Sequence, residues 1–115
     1  MSAHRDRVIR LIRDGLPIPL CDQHSPHEQN DGHFTPAMIA VYCGYPIGRW
    51  MRHDPTIRDA LGRTISMICL YFHRPVEPWM RHSPILKDHG GYNVAGICNK
   101  QLITVEPWMI THFTS

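Results

Sequence analysis

The spacing of apolar residues changes several times along the chain, and each change predicts an element. In "MSAHRDRVIRLIRDG" the residues Val8, Ile9, Leu11 and Ile12 share one helical face. Arg5, Arg7, Arg10 and Arg13 largely surround that face, so an amphipathic capping helix is predicted over about 3–14. The stretch "TPAMIAVYCG" is apolar almost throughout. Thr35 suits a helix N-cap, Pro36 the first helical position and Gly44 the residue just past the end. Thr64 and Asn93 stand at the same cap position before "ISMICLY" and "VAGICNK". After each helix comes a version of "PWM" ("YPIGRWMRH", "RPVEPWMRH", "TVEPWMITH"), which predicts a second helix of one to two turns. "DPTIRDALGR" and "SPILKDHGGY" then read as extended loops, with Asp and Gly as turn residues.

These segments recur. Trp50, Trp79 and Trp108 lie 29 residues apart. Residues 50–78 laid over 79–107 give twelve identities, where composition alone would give about two. Backwards, His24, Pro26, Thr35, Met38, Ile39, Tyr42 and Pro46 each recur 29 positions later. A capping helix, units at about 15–43, 44–72 and 73–101, and a partial unit at 102–115 account for the whole chain as one repeat domain. A unit of this size cannot bury its own apolar face, so neighbours must pack on one another. The repeated "WMRH" is then a joint: Trp and Met are expected in the core, with His and Pro turning the chain. Cys21, one period before Trp50, is expected to be a smaller core residue.

Charge and composition narrow the chemistry. Twelve basic against ten acidic residues give a net charge of +2, too weak a field to point to nucleic acid. The four Cys form no CxxC, and reduced thiols in a cytoplasmic setting are expected. No apolar run approaches the ~20 residues of a membrane span. There is no phosphate-cradling Gly loop, HExxH or Gly-x-Ser-x-Gly, so no enzyme and no cofactor is expected. His24, His53 and His82 tempt toward a metal. Equivalent residues of packed helices lie ~8–10 Å apart, too far to share one ion. The expected role of each imidazole is a hydrogen bond to backbone after the short helix, with no metal.

"DALGRTISMIC" and "FTPAMIAVYCG" resemble the ankyrin repeat, in which a Gly-containing turn leads to Thr and a small, apolar first helix. The period here is 29 rather than about 33, and "TPLH" is absent. The resemblance implies an all-α, ankyrin-like helical stack with extended connecting loops. It implies a non-enzymatic module, an adaptor or an inhibitor or effector, that binds another protein through loop tips and the concave helix face. For a secreted or phage-delivered effector the compartment would be a host cytosol. A His-rich metal-binding or nucleic-acid-binding protein is the alternative.

Partner-binding residues are sought at exposed positions that vary between units, with Tyr and Arg as common anchors. The tips supply His33, Phe34, Arg58, Arg63, Lys87, His89 and Tyr92, and the first helices add Tyr42 and Tyr71. Ile110 and Phe113 are extra apolar groups at the C-terminal end, where self-association or a partner is expected to cover them.

Overall fold

The computed structural model describes residues 3–110. Four α-helices alternate with four 3-10 helices among these residues, and no strand occurs among them. The α-helices are α1 (Ala3–Asp14), α2 (Pro36–Cys43), α3 (Ile65–Tyr71) and α4 (Val94–Gln101). The 3-10 helices span Leu20–Asp22, Arg49–Met51, Pro78–Met80 and Pro107–Met109, and their first residues fall 29 apart.

Helices of seven or eight residues are marginal alone, so caps and packing must hold them. Thr35 Oγ1 accepts the Met38 N–H at 3.2 Å, Thr64 Oγ1 that of Met67 at 3.4 Å, and Asn93 Oδ1 that of Gly96 at 2.9 Å. Helix α1 packs on α2, α2 on α3 and α3 on α4, in a body of 49 × 23 × 20 Å. Having helices on two sides, α2 buries every residue from Pro36 to Val41. At the end of the row, α4 buries only Val94, Ile97 and Cys98.

The 3-10 helices correct one expectation. Met51, Met80 and Met109 are buried to within 1 % of full, whereas Trp50, Trp79 and Trp108 are only half-buried. The reason is polar. The Met80 sulfur faces the Glu77 N–H at 3.4 Å and the Cys69 thiol at 3.6 Å, and Met109 does the same with Glu106 and Cys98. A thioether accepts weakly and belongs in the core. An indole N–H needs a real acceptor: Trp79 Nε1 donates to Glu77 Oε1 at 2.8 Å and Trp108 Nε1 to Glu106 Oε1 at 2.7 Å, which holds both rings at the rim. Cys21, expected in the core, shares that rim register and is exposed; Asp22, at the Met position, is the buried one.

Candidate binding surface

Each long loop ends in a tip organised by one side chain. Asp59 Oδ1 accepts the N–H groups of Leu61 (2.9 Å) and Arg63 (2.8 Å); Asn30 and Asp88 do the same at their own tips. The turn needs a left-handed residue, supplied by Gly62 (φ 78°) and Gly91 (φ 85°) and, at the first tip, by His33 (φ 64°). Successive tips are joined by backbone bonds, Ala60 N–H to Gly32 O (3.1 Å) and His89 N–H to Leu61 O (2.9 Å).

This scaffold brings four of the sought residues into one strip. Asp59 Oδ2 holds Arg63 Nε at 3.0 Å, and the guanidinium carbon lies 5.9 Å from the Tyr42 ring centre and 5.7 Å from that of Tyr71. Arg63 also donates to the Tyr42 hydroxyl. Phe34 meets Tyr42 edge-on at 5.1 Å, and Phe72 meets its other side at 4.6 Å. The Tyr71 hydroxyl donates to Asp88 Oδ2 at 3.4 Å. Burial raises both phenols above their ordinary value, against the Arg63 guanidinium at Tyr42 and with the help of the Asp88 carboxylate at Tyr71, so they stay protonated hydrogen-bonding groups. A cleft of about 300 Å³ opens beside the strip, between Phe34, Ile39, Tyr42 and Arg13.

The other sought residues do different things. Tyr92 forms a smaller site one unit on, with the Lys100 ammonium 4.7 Å from its ring centre. Arg58 donates to the Lys87 carbonyl at 3.2 Å, and its own carbonyl accepts from Gln29, so this pair ties neighbouring loops together. His89 is exposed and its ring covers Gly62; His33 is exposed and its carbonyl accepts from Gln29 at 2.7 Å. Ile110 is 47 % exposed, and Phe113 lies outside the described residues. Phe72 was not among the residues sought. Its only signal is that an aromatic replaces the Asp14, Cys43 and Gln101 of the other units.

The ladder histidines belong to the joint. His53 Nδ1 donates to the Asp54 carbonyl at 2.7 Å, and Thr35 donates its hydroxyl to Nε2 at 3.0 Å; His82 repeats this with Ser83 (2.8 Å) and Thr64 (2.8 Å). A carbonyl can only accept, which places the ring proton on Nδ1. Trp79 then packs edge-on against His53 at 5.4 Å, and Trp108 against His82 at 5.9 Å. Burial lowers the pKa of both imidazoles below the ordinary value, with the bonded carbonyls opposing. In the unfolded chain both return to about 6.5 and bind more protons. Stability is therefore expected to be full above that pH, to fall as pH drops through it, and to level off below the folded values. Melting temperatures between pH 7.5 and 5.5 check this. The His53→Gln, His82→Gln pair should flatten the slope, and an equal slope in that variant would contradict it.

Compared with known proteins, the chain matches no family model, no curated protein and no solved structure.

Proposed function

We propose that this chain is an ankyrin-like, non-enzymatic protein-binding module. Several features support the ankyrin-like reading: capped short helices one period apart, a left-handed turn residue before each cap, and backbone bonds between successive tips. The observation that carries the binding role is the strip Phe34–Tyr42–Phe72 with Arg63 held between Tyr42 and Tyr71. Aromatic and arginine side chains fixed in advance lose little freedom when a partner docks, and they are the usual interface anchors. Arg13 of α1 lines the cleft with Phe34 and Tyr42 and has no carboxylate partner among the described residues. The partner's surface is therefore acidic with an apolar group for the cleft beside Phe34.

Affinity capture from the source cells tests the reading. The parent and Arg52→Ala, an exposed change beside the 3-10 turn, should retain one stoichiometric protein. Tyr42→Ala should hold it roughly ten- to a hundredfold more weakly. Equal retention by Tyr42→Ala removes the strip from the binding surface.

A further inference from the structure

The repeat breaks at its first joint, and the break gathers ligand-bearing side chains. His24 stands one period before His53, but the residue one period before the Thr35 cap is Asp6, inside α1. With no cap hydroxyl to meet, the His24 ring stacks on His4 instead, centres 3.9 Å apart and planes 18° from parallel. Its Nδ1 lies 2.9 Å from Ser25 Oγ, and Nε2 makes no hydrogen bond among the described residues. At the buried Met position of the other joints stands Asp22, only 4 % exposed. One donor atom each from His4, Asp22 and His24 falls within 4.8 Å of the others.

His4 adds an independent observation. Its Nε2 is 2.8 Å from the Asp22 carbonyl oxygen and its Nδ1 is 3.4 Å from Glu28 Oε1. A neutral imidazole carries one N–H, so one of these oxygens faces a lone pair unless a cation is present. We propose that His4, Asp22 and His24 form a binding site for a divalent transition-metal ion of the zinc class, with Glu28 as the outer carboxylate on His4. Two imidazoles and a carboxylate suit zinc and its neighbours rather than magnesium. A carboxylate on the second nitrogen of a ligating His is the usual outer partner. Donors about 2.0–2.1 Å from a tetrahedral ion lie about 3.3 Å apart, so the cluster must contract, and exposed His24 must leave its stack on His4 and turn its ring toward the ion. Arg7 grips Asp22 through Nε (2.9 Å) and Nη2 (2.6 Å). Each carboxylate oxygen keeps a further lone pair, but the guanidinium opposes the incoming charge. The site therefore binds reversibly and does not hold the fold together.

Zinc chloride and magnesium chloride titrated calorimetrically into the full chain at neutral pH test the proposal. The expected result is about one zinc per chain and no magnesium. Zinc affinity should fall at least tenfold in His24→Ala and in His4→Gln. It should be unchanged in Cys21→Ser and in His73→Asn, both at exposed positions. His24 is exposed, so its loss leaves the core intact, and circular dichroism of each variant confirms the fold. Three outcomes overturn the proposal: a parent that takes up no zinc, an affinity unaltered in His24→Ala, or a loss confined to Cys21→Ser.

Discussion

Met80→Ala is expected to lower the unfolding free energy by about 2–5 kcal/mol, the range for a fully buried methionine. Met80 is completely inaccessible and its sulfur faces both the Glu77 N–H and the Cys69 thiol. Truncation leaves a cavity between α3 and its 3-10 helix and strips the Glu77 N–H of its acceptor. Met80→Leu keeps the volume and loses only the sulfur, so it should cost under about 1.5 kcal/mol. Trp79→Ala removes the larger side chain yet should fall short of the about 3–5 kcal/mol of a buried tryptophan, because its ring is half in water. Urea-unfolding midpoints of the three variants check the order. A larger loss from Trp79→Ala than from Met80→Ala would show that the rim, not the methionine, carries the joint.

Asp59→Ala is the second large effect, expected to cost about 3 kcal/mol, since hydrogen bonds to a charged group contribute roughly 1.5–3 kcal/mol and more than one is lost. Its carboxylate is wholly buried, holds two backbone N–H groups of the tip and fixes Arg63. Asp59→Asn separates the two roles. Asn30 performs the backbone role at the first tip, so the amide should keep most of the stability. It loses the ion pair that aims Arg63 at Tyr42 and Tyr71, so partner binding should weaken while the midpoint barely moves. If Asp59→Asn binds as tightly as the parent, Arg63 is not an anchor of the surface.

The helices were legible because their signals are local. Thr35, Thr64 and Asn93 announce caps in the sequence and act as caps in the structure. The second and third tips were legible for the same reason, an Asp followed by Gly, whereas the first uses Asn30 and His33 in those roles. The division of labour within "WM" was not. Periodicity says that two adjacent residues recur together, not which one points inward; acceptors for the indole and the thioether, contributed by the Glu and Cys of the same unit, decide that. The strip was half legible. Phe34 and Arg63 stand out as tip residues that differ between units, and Tyr42 and Tyr71 as the aromatic groups of the first helices. Phe72 completes the cluster through an edge contact that no spacing rule anticipates. Arg58 and Lys87 read as contact residues too, but Arg58 spends its guanidinium on the next loop. The His4–Asp22–His24 cluster was hidden because the likeness of His24 to His53 drew it into the ladder, while His4 comes from a helix outside the repeat.

The packing of each helix on its immediate neighbours has a kinetic consequence. Most native contacts are local in sequence and the helix pairs that pack most closely are sequence neighbours about one period apart, so the chain has low contact order and the entropy of long-range closure is small. Folding can start at either pair that shares most of one core, α1 with α2 or α3 with α4, and zip along the row from there. The reverse path is unzipping from α4, whose outer side has no further helix against it among the described residues. A force or a protease acting at that end meets the free energy of one unit at a time. The Phe34–Tyr42–Arg63 strip, with Phe72 and Tyr71, spans the junction of α2 and α3, so it is whole only while those two helices stay docked.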